Sequence, residues 1–275
     1  MPSGLRQIKI EKMEFKILTD SLLKKYRKSV KESPFDKIDR IKKLNISFDY
    51  FQFYKSVSSV YSSKIEGEEI DFDSYFKHKF LNIKFKPSYT KKADDLYAAY
   101  DFIDDHKLTF DNVKKAHSIL SKHLLPKSQQ GLLRNNPMFV LNSNDKIEYV
   151  AASPDIVELE LDKLFDDIKI LQKTNIDPFE IFYYASLIHL VFVKIHPFQD
   201  GNGRTARLIE KWFLIEKIGQ KATSIQLEKN YYKNLNNYYS NIRTIGLEYE
   251  KLDYSKCLDF LLMTVKGIDK QNNDE

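Results

Sequence analysis

Cysteine is nearly absent: Cys257 is the one cysteine in 275 residues. A disulfide framework and a cysteine-rich metal site within one chain are therefore excluded, and Cys257 reads as a small buried apolar residue. No uncharged apolar run approaches the roughly 18 residues that would suit a membrane span. The opening stretch, Met1-Pro-Ser-Gly-Leu-Arg-Gln-Ile-Lys9, lacks the apolar segment that a secretory signal carries. The expectation is a cytoplasmic protein that engages no membrane. Also missing are Gly-x-Gly-x-x-Gly and Gly-Lys-Ser/Thr, the familiar phosphate-loop fingerprints. No internal repeat, low-complexity tract or long linker interrupts the chain.

What is present is ordinary for a globular protein. Hydrophobic residues make up 42% and charged residues 30%, and the length allows a large core. With 17 Tyr and 19 Phe, that core should be packed largely with aromatic rings. The 44 basic and 39 acidic residues leave a formal charge of +5. The two signs are interleaved, which reads as a solvated mixed surface and not as a nucleic-acid patch; there is no helix-turn-helix and no aromatic-basic ladder.

Most of the chain reads as helix. A charged segment covers 18–31, and a Phe-, Tyr- and Ser-rich one covers 46–66, starting after Asn45. Residues 92–106 repeat apolar positions at Leu96, Ala99, Tyr100 and Ile103, and 110–124 do so at Val113, Ala116, Ile119 and Leu120. A β-hairpin is expected where Phe139-Val-Leu-Asn142 and Ile147-Glu-Tyr-Val-Ala151 flank the turn-forming Ser143-Asn-Asp-Lys146. Ser153 should cap the next helix, with Pro154 in its first turn. Asp177-Pro-Phe-Glu180 has the form of a capping box, opening a helix to about Lys194. Pro197 stops it, and the next helix runs from about Asn202 to Ile218, where Gly219 ends it. Residues 226–265 look helical, and the charged tail after Gly267 should fray.

The segment 196–207 gathers unusual chemistry. A histidine with an ordinary pKa near 6.5 would be mostly neutral at pH 7, so His196 could take a proton from a hydroxyl. Asp200 precedes a helix start, where a carboxylate can cap the helix or share Mg²⁺ with phosphates. Gly201, Asn202 and Gly203 offer backbone N–H groups at a helix N-terminus, which is an anion site. Arg204 and Arg207 are three apart and share a helix face, and guanidinium groups suit phosphate oxygens. Taken singly, each element has a bland meaning: Asp-Gly-Asn-Gly is a turn, and a histidine before proline is usually structural. The later acidic ligands of an EF-hand are missing, and one His with one Asp does not make a zinc site. Together the parts suit phosphoryl or nucleotidyl transfer. Phe198 reads as a core anchor for the loop, and His189 as a core or helix-surface residue.

The string His196-Pro-Phe-Gln-Asp-Gly-Asn-Gly-Arg-Thr-Ala-Arg207 resembles the signature of the Fic (filamentation induced by cAMP) family. The resemblance extends over about 90–265. It takes in the helix leading to His196, Gly131-Leu-Leu-Arg134 with the hairpin as the family's flap, and Tyr231-Tyr-x-x-Leu235 in the last helices. It implies a mainly α fold, a Fic-type helical bundle with a small β-hairpin flap. It also implies His196 as the base, Asp200 as the Mg²⁺ carrier, and Gly201, Asn202 and Gly203 as holders of the α- and β-phosphates of ATP. Arg204 would lie near the leaving pyrophosphate and Arg207 on the γ-phosphate. The flap edge would pair with an extended target segment.

Ser62-Ser-Lys-Ile-Glu66-Gly67, by pattern a helix ending at glycine, resembles the family's inhibitory motif, Ser/Thr-x-x-x-Glu-Gly/Asn. Ser62 and Glu66 fall on one helix face, and Glu66 would compete with ATP for Arg207. The chain then divides into an extension, 1–90, whose inhibitory helix covers about 46–66, and a Fic core with C-terminal helices, 91–275. The implied function is an autoinhibited protein adenylyltransferase that moves AMP from ATP to a Tyr, Thr or Ser hydroxyl of a protein and releases pyrophosphate. Three alternatives stand beside it: removal of AMP or a bifunctional enzyme, a different transferred group such as UMP, and a non-catalytic binding module. A homodimer is an expectation from family behaviour alone.

Overall fold

A computed structural model describes residues 13–40, 49–83, 87–141 and 147–269. Among them the chain forms α1 (Leu23–Ser29), α2 (Pro34–Asp39), α3 (Tyr50–Ile65), α4 (Phe72–Leu81), α5 (Pro87–Phe102) and α6 (Phe110–Leu120). A two-stranded antiparallel sheet follows, β1 (Phe139–Leu141) and β2 (Ile147–Val150). Then come α7 (Pro154–Lys173), α8 (Pro178–Ile195), α9 (Asn202–Ile218), α10 (Leu227–Lys233), α11 (Leu235–Thr244) and α12 (Leu258–Asp269). The fold is mainly α with a small hairpin.

α8 is the axis of the bundle. It is long and apolar enough by composition to cross a membrane, yet it is buried, because α1, α2, α7, α9 and α12 pack around it. Helices that are apolar on every side are of this kind. Its start is fixed by the capping box: the Asp177 carboxylate accepts from the N–H groups of Phe179 (2.9 Å) and Glu180 (3.2 Å), and Glu180 accepts from the Asp177 N–H at 2.9 Å. Leu187, Ile188, Leu190 and Phe192 are fully buried, as are Leu208, Trp212 and Phe213 on α9. Leu18, Leu22, Tyr26 and Ile65, from the N-terminal third, belong to the same apolar cluster.

Several boundaries differ from the sequence expectations, each for a local reason. The helix expected over 18–31 begins only at Leu23, because the N–H groups of Lys16, Ile17 and Leu18 are drawn onto the Asp167 carboxylate at 2.8, 2.9 and 2.8 Å. The helix expected from 46 starts at Tyr50 under an Asp49 cap; Asn45 and 46–48 lie outside the described residues. α5 ends at Phe102, not 106, where the His106 ring bonds the Phe102 carbonyl at 2.7 Å. α6 ends at Leu120, not 124; the Ser121 hydroxyl bonds back to the His117 carbonyl. Ser153 precedes α7, but its side chain makes no capping bond, so Pro154 in the first turn is what sets that start. The span 226–265 is not continuous helix. It breaks between α11 and α12 into short 3₁₀ turns around Gly246, whose φ of 136° an L side chain rarely adopts. The hairpin is present, with a register irregularity between Val140 and Leu141; its turn, 143–146, lies outside the described residues.

Candidate active site

α8 ends on His196, which adopts left-handed backbone angles (φ 54°) while its N–H still reaches the Phe192 carbonyl. That conformation is unfavourable for a residue with a Cβ. Arg134 holds it in place: its guanidinium donates to the carbonyls of His196 (2.7 Å), Ile195 (3.3 Å), Asn136 (2.8 Å) and Ala152. The first two are end carbonyls of α8, where a cation is favoured, and the last two flank the hairpin. One buried side chain therefore joins the flap to the loop. Arg134→Ala is expected to cost about 2–4 kcal/mol, because several carbonyls lose a charged donor. Thermal unfolding should shift down by roughly 5–10 °C. Arg134→Lys should recover little, since a point ammonium cannot span four acceptors; wild-type stability in that variant would refute the clamp.

The loop after His196 is built around Phe198. Its ring is fully buried and stacks on His117 at 3.7 Å. The Asn202 side chain bonds both the N–H and the carbonyl of Phe198, each at 2.8 Å. His117 donates from Nε2 to the Asp200 carbonyl (2.9 Å) and accepts at Nδ1 from the Gly131 N–H (2.9 Å). Burial pushes the His117 imidazole down to about 4, which keeps the ring neutral and that assignment intact. Asn202 thus spends its amide on the loop and can offer a ligand only its backbone N–H. His117 had no motif to announce it in the sequence.

His196 Nδ1 lies 3.2 Å from the Val193 carbonyl, so Nδ1 carries the proton and Nε2 is bare. Burial is the main force lowering its pKa, with a smaller contribution from the Arg134 charge, and brings it to about 4. The ring is therefore neutral over the whole range above pH 5, not titrating near 6.5. It lines a cavity of about 430 Å³ together with Glu66, Gly203, Arg207, Tyr238 and Arg243. β2 and α11 meet across that cavity in a two-pronged Glu148–Arg243 pair, both contacts 2.8 Å.

The head of α9 faces the same space. Gly201 is its N-cap in left-handed conformation (φ 78°). A Cβ on Gly203 would stand 2.6 Å from Glu66 Oε1, so the Glu66 carboxylate lies directly against the first turn of α9. That is where the helix dipole and the unpaired N–H groups favour an anion. Arg207, 1% exposed, donates from Nη2 to Glu66 Oε1 at 2.6 Å, and from Nε to Ser62 Oγ at 2.9 Å. Burial would raise the Glu66 carboxyl pKa, but the guanidinium of Arg207, then that of Arg204, overcomes it and the net shift is downward. Glu66 is ionised at neutral pH and remains 31% exposed to the cavity.

Arg204 is also engaged by acid. Its Nη2 lies 3.3 Å from Glu68 Oε1, which in turn takes Lys92 Nζ at 2.6 Å. Its Nε is buried without a hydrogen-bond partner among the described residues. Sequence reasoning missed Glu68; its spacing of two from Glu66 was the available signal, since α3 ends at Ile65 and the turn through Gly67 directs both acids toward α9. Asp200 is exposed, and its Oδ1 accepts from the Gly201 N–H at 2.6 Å. The structure thus brings His196, Gly203, Arg207, Ser62 and Glu66 together, with Arg204 beside them and Asp200 on the loop.

These features define a mainly helical protein whose helix–loop–helix presents a neutral histidine, an anion-accepting helix head and a buried arginine to one cavity. Residues 107–214, which hold His196 to Arg207, match the Fic/DOC family model. The protein adenylyltransferase Fic of Nematostella vectensis is 30% identical over 131 residues, 47% of this chain and 28% of that protein. The protein adenylyltransferase fic-1 of Caenorhabditis elegans is 39% identical over 61 residues, 22% of this chain and 11% of that protein. A Fic family protein from Desulfovibrio desulfuricans G20 has the same fold, with a TM-score of 0.75 at 16% identity over 95% of this chain and 77% of that one. The chain spans under a third of the length of the curated relatives it matches. The family match contains His196 through Arg207 but not Ser62 or Glu66.

Proposed function

We propose that this chain is a protein adenylyltransferase held in check by Glu66. It transfers AMP from ATP to a Tyr, Thr or Ser hydroxyl of a protein and releases pyrophosphate. The observation that carries this reading is the position of one carboxylate: Glu66 sits on Arg207 and against Gly203, the two partners a nucleotide phosphate would take. His196 Nε2, bare and neutral, accepts the proton of the incoming hydroxyl as its oxygen forms a bond to the α-phosphorus and the bond to the β-phosphate oxygen breaks. Backbone N–H groups of Asn202 and Gly203 would take the phosphates, joined by that of Gly201 if it leaves the Asp200 carboxylate, and Arg204 would stand near the leaving group once Glu68 yields.

Mg²⁺ fits one place. Among the described residues no cluster of three or more His, Cys, Asp or Glu could cage a metal. Asp200 has one carboxylate oxygen not used by the Gly201 N–H. A single carboxylate sharing the ion with substrate phosphates is the usual Mg²⁺ arrangement. When bound, the ion would offset phosphate charge. An extended target segment would add to β1, because the Val150 N–H on β2 is already taken by the Leu247 carbonyl at 2.8 Å.

Where the label travels tests the reading. With Glu66→Gly protein, a label on the α-phosphate of ATP should become covalently attached to protein, self-modification included. A label on the γ-phosphate should not. Transfer of the γ-label, or attachment of neither, would sink the proposal. A panel of other nucleoside triphosphates reports whether AMP is the group carried. The exposure of Glu66 to the cavity that His196 lines favours a second reading, removal of AMP by a water held on that carboxylate. Loss of AMP from a modified protein should then stop with Glu66→Ala.

A further inference from the structure

Arg207 receives four protein contacts, and three of them come from the helix that carries the brake. Ser62 Oγ and the Ser62 carbonyl accept from Nε and Nη2 at 2.9 and 3.2 Å, and Glu66 accepts from Nη2 at 2.6 Å. The fourth comes from α11: the phenol oxygen of Tyr238 lies 3.3 Å from Nη1. If Glu66 gives way to a phosphate, Tyr238 is the described contact from outside α3 that keeps the guanidinium aimed.

Tyr238 is itself held from the far side. Its hydroxyl lies 3.0 Å from His189 Nε2, and His189 Nδ1 lies 2.6 Å from Glu210 Oε2. Tyr238, His189 and Glu210 are all buried. Glu210 also accepts from the hydroxyls of Tyr231 (2.8 Å) and Thr264 (2.7 Å), so it behaves as a carboxylate acceptor. Hydrogen-bond direction then follows in one order. Glu210 takes the Nδ1 proton, His189 Nε2 is left with its lone pair, and that lone pair takes the Tyr238 proton. The phenol oxygen, its proton spent, turns lone pairs toward the Arg207 N–H. With the other tautomer, Nδ1 would face the carboxylate lone pair to lone pair, and the Tyr238 proton would point at a guanidinium that can only donate. The chain of bonds leaves α9 at Glu210, crosses α8 and α11, and returns to α9 one turn earlier at Arg207. Burial raises the Tyr238 phenol well above its ordinary value, so it stays protonated and able to serve in this order.

We infer that Tyr238 is a positioning residue for Arg207, and that Glu210, by fixing the His189 tautomer, sets the direction in which Tyr238 bonds. This rests on the reading that Arg207 holds the terminal phosphates of ATP. It does not make His189 a base for the reaction, since it touches no substrate space.

The test compares ATP with AMP, by calorimetric titration in the Glu66→Gly background. Arg207→Ala comes first: if it leaves ATP affinity unchanged, the reading of Arg207 fails, independently of Tyr238. Tyr238→Phe keeps the ring and removes one oxygen. It should weaken ATP about tenfold and leave AMP, which lacks the outer phosphates, within about twofold. His189→Ala should weaken ATP similarly and add little to Tyr238→Phe in the double variant, whereas His189→Gln, whose amide can accept from Tyr238 and donate to Glu210, should recover part of the loss. Should Arg207→Ala weaken ATP while Tyr238→Phe does not, or should Tyr238→Phe weaken AMP equally, the positioning role is overturned. Because Tyr238→Phe preserves the packing volume, the comparison does not depend on whether the His189 variants fold.

Discussion

Replacing Glu66 by glycine is expected to raise AMP transfer at sub-saturating ATP by about 10- to 100-fold, and to make the nucleotide-free protein less stable. Both effects come from one carboxylate. The Glu66–Arg207 contact is a 2.6 Å charge-assisted hydrogen bond to a guanidinium that is 1% exposed. Bonds of that type contribute about 1.5–3 kcal/mol net, and each 1.4 kcal/mol is tenfold in occupancy. A phosphate seeking Arg207 must displace that partner, so removing it returns the same factor to ATP. Without nucleotide, the buried guanidinium keeps Ser62 and Tyr238 among the described residues, and losing one partner of a buried pair destabilises. ATP should therefore raise the melting temperature of the glycine variant more than that of the wild type. Glu68 still holds Arg204 in this variant, so the gain reports on the two places that Glu66 vacates, Arg207 and the head of α9. Equal transfer rates and equal ATP-induced shifts in the two proteins would mean that Glu66 is not a brake.

The sequence carried much of this site for a physical reason: its parts are local. His196 to Arg207 lie on consecutive turns of chain, so the type and spacing of residues nearly determine their mutual positions. Asp177, Pro178 and Glu180 announced the start of α8 because a capping box is also local. What could not be read are contacts over long sequence separations. Arg134 is 62 residues from His196, and His117 is 83 from Asp200. Arg134 stood out only as the end of the flap-like Gly131-Leu-Leu-Arg134 and His117 not at all; neither shows its contacts until the fold brings four carbonyls to one and a phenyl ring to the other. Burial was equally invisible. His196 looked like an ordinary imidazole titrating near 6.5, and its enclosure by α8, the flap and α3 moves it to about 4. The breaks in 226–265 belong to the same class, since the composition there suits helix and Gly246 was one glycine among apolar and charged residues. Ser153 shows the reverse: a favoured capping residue stands at the right position, and its hydroxyl is not used.

His196→Ala in the Glu66→Gly background is expected to lower transfer by about 10²–10⁴-fold, the range of a lost general base, while ATP affinity stays within about twofold. On the proposed chemistry the imidazole would meet the proton in flight and not the phosphates that Arg207 and the head of α9 would hold, so kcat and binding should separate. A parallel loss of ATP affinity would place His196 in binding instead. The same residue gives a pH test with a fixed sign. Followed by NMR, with the signal assigned through His196→Ala, the ring of the nucleotide-free protein should not titrate between pH 8 and 5 and should protonate only near pH 4. His117 behaves alike, held down to about 4 by its burial. Below pH 6.5 the unfolded chain takes up two protons that the folded protein refuses. Stability is therefore full above 6.5 and falls as the pH drops toward 4, by up to about 1.4 kcal/mol per pH unit for each ring. His117→Asn should flatten half of that slope without touching transfer chemistry directly. A base that stays neutral and bare far below neutral pH is a weak one, and it serves only if the developing charge beside it raises its affinity for the proton as the hydroxyl attacks. Bound phosphates supply that charge, so the free protein and the ATP complex should differ in where His196 titrates, with the higher value in the complex.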